Sequence, residues 1–244
     1  MPIEAVTFDF HNTLVRCDEW FALEIRELVP ETLRLLAADG LVPDDDGLRD
    51  RARVAYRGLR EAIIESGAEC DALACTLTTL GRLGVTAPPE AVARAIEALM
   101  REALRPARPI PGAVEAVREL RRQGLRCGVV SSAVYHPFLE WALDAFGVRD
   151  AFAAVVSSAS SGYYKSRPEI YQAALRALGA TADRAVHVGD SYRFDVLGAR
   201  RAGLRTVWYA STLAVLEQPE VVADATVADL GTLPAVIAAL GGVA

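Results

Sequence analysis

Four polar clusters interrupt an otherwise apolar pattern: Asp9 with His11 and Thr13, Ser131 with Ser132, Lys165 by itself, and Asp190 with Asp195. An aspartate can attack an electrophile or hold a cation. A second pair of aspartates adds hard oxygen ligands of the kind Mg²⁺ takes. Serine hydroxyls and backbone N–H groups can donate to phosphoryl oxygens, and an ammonium can offset charge that shifts during group transfer. Together the clusters suit chemistry on a phosphate ester, with Asp9 as a nucleophile that forms an aspartyl-phosphate. The lysine is informative by itself. Lys and Arg total 26, yet Lys165 is the only lysine. A chain that uses arginine everywhere else keeps one compact ammonium, as a site needing a point charge rather than a planar fork requires.

Such clusters work only if the fold gathers them. Val6, Thr7 and Phe8 are β-formers in a run with almost no polar interruption, which predicts a strand buried on both faces. Asp9 then falls at its carboxyl end, the edge where open α/β sheets bind ligands. Residues 17–104 read as all-helical: apolar positions recur at helical spacing from Trp20 to Leu36, then over Leu48 to Ser66, Cys70 to Leu83, and from Pro88-Pro89-Glu90 to Leu104. Arg105 to Pro111 reads as a linker. Beyond it strands are predicted at Leu125 to Val130, Phe152 to Val156, Ala185 to Val188, Thr206 to Tyr209 and Asp224 to Val227. Helices alternate with them at Gly112 to Gln123, Pro137 to Phe146, Pro168 to Leu178, Phe194 to Ala202 and Leu233 to Leu240. That alternation predicts an α/β fold with a doubly wound parallel sheet. Residues 1–16 and 105–244 form the expected core, and 17–104 an inserted all-helical domain between the first and second core strands. The polar clusters all fall at strand ends or in the loops beyond them.

The chain has 244 residues, 52% hydrophobic and 24% charged, with a net charge of −6. No basic tract is present, which argues against nucleic acid as a partner. No apolar stretch is long enough to span a bilayer, and Glu4 and Asp9 stand where a signal peptide would be basic and then apolar, so a cytoplasmic protein is expected. Cys17, Cys70, Cys75 and Cys127 match no common zinc spacing and are expected to be reduced, partly buried thiols.

Asp9-Phe10-His11-Asn12-Thr13, Val129-Val130-Ser131, Lys165, and Gly189-Asp190-Ser191-Tyr192-Arg193-Phe194-Asp195 resemble, in order, the four motifs of the haloacid dehalogenase superfamily. Ile110-Pro111-Gly112, Pro168-Glu169-Ile170-Tyr171 and the stretch from Asp195 to Gly203 are similar to that family as well, so the resemblance covers essentially the whole chain. It implies a Rossmann-like core, a mobile helical cap, Mg²⁺, and hydrolysis of a small phosphorylated metabolite through Asp9, by a monomer or homodimer. It also implies metal ligation by Asp9, the backbone carbonyl of His11 and Asp190; on the residues' own chemistry, Asp195 is expected to hold a metal-bound water, and Ser131, Ser132 and Lys165 to bind the phosphate. Cap hinges are expected near residues 14 to 17 and 105 to 110.

His11 departs from the pattern. Phosphatases of this family usually carry a second aspartate there, which protonates the leaving group and later activates water. Imidazole can do both, with an ordinary pKa of about 6.5. Two other readings stay open: a phosphate- or partner-binding protein that lost turnover with the second acid, and a phosphomutase. The paired acids Asp190 and Asp195 argue against the metal-free dehalogenases, and the absence of any lysine from 17–104 argues against Schiff-base phosphonate cleavage. Substrate contacts from the cap are expected from Trp20, Tyr56, Arg57 and Arg60. His136 and Tyr163-Tyr164 are candidates for the same cleft, while Trp208 and His187 read as core residues.

Overall fold

The computed structural model describes residues 2–210 and 222–241. Strand β1 (Ala5–Phe8) is wholly buried, as its apolar run requires. After it come β2 (Val15–Arg16), β3 (Arg108–Pro109), β4 (Arg126–Ser131), β5 (Phe152–Ser157), β6 (Ala185–Gly189), β7 (Arg205–Tyr209) and β8 (Ala225–Val227). Six of them form one sheet in the order β5-β4-β1-β6-β7-β8, every neighbour parallel. The chain therefore builds outward from β1 in one direction through β4 and β5, then in the other through β6 to β8. That reversal opens a crevice at the carboxyl end of β1, where loops on either side part.

Side-chain alternation along β1 divides the apolar core in two. Val6 and Phe8 join the cluster that includes residues of α6 (Ala113–Arg122) and α7 (His136–Ala145). Ala5 joins the cluster on the other side, with α9 (Pro168–Leu178) and Ala199 of α10 (Leu197–Arg201). Helices thus cover both faces of a parallel sheet, as its buried strands demand.

The segment between β2 and β3 is helical. It comprises α1 (Asp18–Ala22), a π-helical turn at Leu23–Glu27, α2 (Leu28–Ala38), α3 (Asp46–Ser66), α4 (Ala72–Arg82) and α5 (Pro89–Leu104). Local chemistry sets its boundaries. The Asp45 carboxylate accepts from the N–H of Leu48 and the Asp71 carboxylate from that of Ala74, capping α3 and α4. Gly67 closes α3 in the left-handed region, φ 73°. The segment leaves and rejoins the sheet domain through an antiparallel ribbon, Val15–Arg16 against Arg108–Pro109, continued by the Ile110 N–H donating to the Leu14 carbonyl at 2.9 Å. Within Arg105 to Pro111, expected as a linker, two residues form strand, too short a run to leave a sequence signal. Among the described residues, no helix is long and apolar enough to cross a membrane.

One expectation needs correction. Cys70 and Cys75 are not separate thiols: they form a disulfide, Cα to Cα 6.1 Å. The turn after Gly67 brings Cys70 back against the first turn of α4, a proximity that sequence spacing does not convey. Cys17 and Cys127 are free and buried, as expected.

Candidate active site

Asp9 follows directly on β1, and its N–H donates to the Val188 carbonyl of β6 at 2.8 Å. The chain then turns sharply. Asn12 takes φ 61°, a conformation asparagine tolerates better than most residues, and this allows Thr13 Oγ1 to donate back to Asp9 Oδ2 at 3.1 Å. Lys165 Nζ donates to both Asp9 and Asp195, each carboxylate buried. The lysine's own N–H is held by Ser132 Oγ at 3.2 Å.

Asp195 is the hub behind the lysine. Besides Lys165 it takes the N–H of Ser191 at 2.8 Å and His187 Nε2 at 3.2 Å. Thr7 and His187 face each other across the β1–β6 register, and Thr7 Oγ1 lies 2.9 Å from His187 Nδ1. Burial holds His187 below its ordinary pKa and so neutral; with Nε2–H toward the carboxylate, Nδ1 accepts from the Thr7 hydroxyl. A relay of Thr7, His187, Asp195, Lys165 and Asp9 thus fixes the ammonium. Gly189 allows it, because a Cβ there would lie 2.2 Å from the Asp195 carboxyl carbon.

Two more side chains hold the loop after β6, where the chain makes a π-helical turn at Tyr192–Val196. Trp208 Nε1 donates to the Asp190 carbonyl at 2.9 Å, and Tyr171 Oη to the Phe194 carbonyl at 2.6 Å. Trp208, expected in the core, is buried but also holds this loop, and Tyr171 carries no chemical signal in the sequence. Their contacts run to backbone across long separations, and no motif spacing encodes such contacts.

Electrostatics separate the three carboxylates, which bring oxygens within 4.8 Å of one another. Burial pushes Asp9 up to about 6, with Lys165 opposing and Asp195 adding to the rise. Burial, together with the charges of Asp9 and Asp195, pushes Asp190 up to about 8. Burial also opposes ionisation of Asp195, but Lys165 and His187 outweigh it and hold Asp195 near about 2. One lysine therefore does not neutralise three acids, and Asp190, half-buried, has no ion-pair partner among the described residues. A hard divalent cation between Asp9 and Asp190 fits this donor set and its surplus negative charge.

A cavity of about 310 Å³ opens over these groups. It is lined by Asp9, His11, Ser131, Ser132, Lys165, Asp190 and Asp195, so the expected catalytic, phosphate and metal residues are all brought together. His11 stacks on Phe21, ring centroids 4.6 Å apart and 10° from parallel, and also touches Trp20. Burial pushes its pKa down to about 4. His11 Nε2, Asn12 Oδ1 and Trp20 Nε1 are buried without hydrogen-bond partners among the described residues.

Of the four expected contacts from the helical segment, only Trp20 lines the cavity. Tyr56 is fully buried, its hydroxyl donating to the Glu24 carbonyl at 3.0 Å. Arg60 is buried against Glu69 in a two-pronged ion pair, and Arg57 lies on the outer surface paired with Glu61. The spacing of Tyr56 and Arg60 does mark one helix face, but it is the face that packs inside. Tyr164 lines the cavity as expected; His136 does not, and lies instead 3.0 Å from Ser157 Oγ.

This fold and site define an α/β enzyme with a buried carboxylate–lysine centre at the switch point of its sheet. The chain belongs to the haloacid dehalogenase-like hydrolases, whose family model matches residues 3–203. It is 32% identical over 206 residues to a glyceraldehyde 3-phosphate phosphatase of Methanopyrus kandleri, spanning 84% of this chain and 83% of that one. It is 36% identical over 143 residues to a phosphoserine phosphatase of Thermus thermophilus, covering 58% and 56%. A crystal structure of a HAD phosphatase from Thermococcus onnurineus shares the fold, with a TM-score of 0.65 at 21% identity over 96% of this chain and 98% of that one.

Proposed function

We propose that the protein is a Mg²⁺-dependent phosphatase acting on a small organic phosphate monoester, in the cytoplasm, with residues 17–104 as a cap over a core of 1–16 and 105–244. The observation that carries this reading is the pairing of Asp9 with Lys165 beside Asp190, at the crevice of the sheet. Asp9 and Asp190, with the His11 carbonyl, would hold the cation; when bound, it screens the repulsion between carboxylate and phosphate. Asp9 attacks phosphorus, forming an O–P bond as the ester P–O bond breaks, and the leaving oxygen takes a proton from solvent water as the alcohol departs. Lys165, Ser131 and neighbouring N–H groups take the phosphoryl oxygens. Water then cleaves the aspartyl-phosphate, releasing phosphate and restoring Asp9.

His11 deprotonates that water. Its lowered pKa leaves the imidazole neutral, with unpartnered Nε2 able to accept a proton, and it weakens the acid role that a second aspartate has in relatives. One observation favours the binding-protein reading: His11 is packed between aromatic rings as a structural residue would be.

Phosphate release from a panel of esters, with Mg²⁺ or EDTA, decides between them. Turnover should need Mg²⁺, vanish in Asp9→Asn, and fall by about 10²–10⁴ in His11→Ala. Mg²⁺-dependent binding of phosphate esters without release by the native protein would sink the enzyme and favour the binding protein.

A further inference from the structure

Besides its charged groups, the cavity has a substantial apolar lining. The helical segment contributes Trp20, Phe21, Ile25 and Ile64, and the core adds Tyr164 and Phe194. Phe21 is 43% exposed, and Ile25, Ile64, Tyr164 and Phe194 are half-buried, so these surfaces stay open to a ligand rather than being consumed in packing. Tyr164 and Phe194 meet edge to face at 5.4 Å, and Phe21 lies against His11. Such a collar matches a flat or bulky apolar group and rewards its burial.

Every charged residue lining the cavity belongs to the reaction centre: Asp9, Lys165, Asp190 and Asp195. The arginines that could have met a charged alcohol group are committed elsewhere. Arg60 is buried on Glu69 and Arg57 pairs with Glu61, while Arg193, whose guanidinium lies 5.2 Å from the Phe194 ring centre, is exposed and does not line the cavity. An ammonium or carboxylate on the substrate would lose its water here without gaining a counter-charge among the described residues, which is costly.

Resting on the phosphatase reading, we propose that the preferred substrate is a phosphomonoester of an uncharged arylalkyl alcohol, its ring held by the collar of Phe21, Ile25, Ile64, Tyr164 and Phe194. A relative's name points to phosphoserine, but a site for that substrate must hold both an ammonium and a carboxylate. Arylalkyl rather than aryl esters make the fair comparison, because their alcohols leave about as poorly as ethanol.

The test uses the full chain with Mg²⁺ and measures two things. Calorimetry gives Kd for the non-hydrolysable 2-phenylethylphosphonate, ethylphosphonate and 2-aminoethylphosphonate. Phosphate release gives kcat/KM for 2-phenylethyl phosphate, ethyl phosphate and phosphoserine. The phenylethyl compounds should lead the ethyl ones by at least about tenfold in both, the amino compounds should trail, and Phe21→Ala or Ile64→Asp should bring the phenylethyl-to-ethyl ratio toward one. Equal Kd for phenylethyl and ethyl, or a lead for 2-aminoethylphosphonate or phosphoserine, overturns the proposal even if the protein is an active phosphatase. Selective phenylethylphosphonate binding with no ester turned over upholds the collar and overturns the phosphatase instead.

Discussion

Arg60 and Glu69 are 4% and 0% exposed in their side chains, and the guanidinium reaches both carboxylate oxygens, at 2.5 and 3.1 Å. Ser158 Oγ, from the sheet domain, donates to the same carboxylate at 2.8 Å. Removing the arginine would leave a buried carboxylate with hydroxyl and amide donors but no counter-charge. Arg60→Ala is therefore expected to cost about 3–5 kcal/mol of stability in denaturant unfolding. Arg57→Ala, which breaks only a pair 71% and 63% exposed, should stay within about 0.5 kcal/mol. A variant Arg60→Ala that unfolds like the native protein but shows a raised KM would put Arg60 in contact with substrate after all.

The short helix α10 shows how an element helps place a side chain it does not carry, the Lys165 ammonium. Gly198 lies where a Cβ would be 2.5 Å from the Lys165 carbonyl oxygen and 3.1 Å from the Tyr171 hydroxyl. Gly198→Ala must push α10 away from the loop that presents the lysine. Its kcat/KM should fall about 100-fold, while overpacking costs about 1–3 kcal/mol and unfolding stays cooperative. Unchanged kcat/KM would show that the lysine loop does not depend on this contact. The element level was also the most legible in the sequence, because local chemistry sets it. Gly179, at φ 61°, ends α9 where the apolar period stops, and Pro168 opens that helix at its first turn. Asp9 and Asp190 were legible because each is a polar interruption at the end of an apolar stretch, and Lys165 because it is the only lysine in the chain. What could not be read were side chains whose partners lie far along the chain: Trp208 under the Asp190 loop, Tyr171 under Phe194, and the inward face of Tyr56 and Arg60. Helical periodicity fixes which residues share a face, but not what that face meets.

At the scale of the molecule, the helical segment touches the sheet domain at more than its ribbon. Across the turn between α3 and α4, the Glu69 N–H donates to the Gly162 carbonyl at 2.9 Å, and the Tyr164 N–H donates to the Gly67 carbonyl at 3.0 Å, one residue before Lys165. Nearby, Glu24 accepts from the Val134 N–H at 2.9 Å, with Arg60, Glu69 and Tyr56 around it. Any opening about the ribbon has to break these contacts, and Glu24 makes them sensitive to pH. Burial pushes its pKa up from 4.5 to about 8; Arg60 opposes the rise, and Glu69 adds to it. The folded chain therefore keeps this proton between those two values, where the unfolded chain has already lost it. The stability linked to the proton is complete below pH 4.5 and is lost as pH rises through 8. Thermal unfolding should shift down by about 5 °C between pH 6 and pH 9. Glu24→Gln keeps an acceptor for the Val134 N–H and cannot ionise, so its melting temperature should vary much less over the same range. A native profile as flat as that of the variant would mean that Glu24 is already ionised in the folded protein and that its burial against Val134 does not set the pH response.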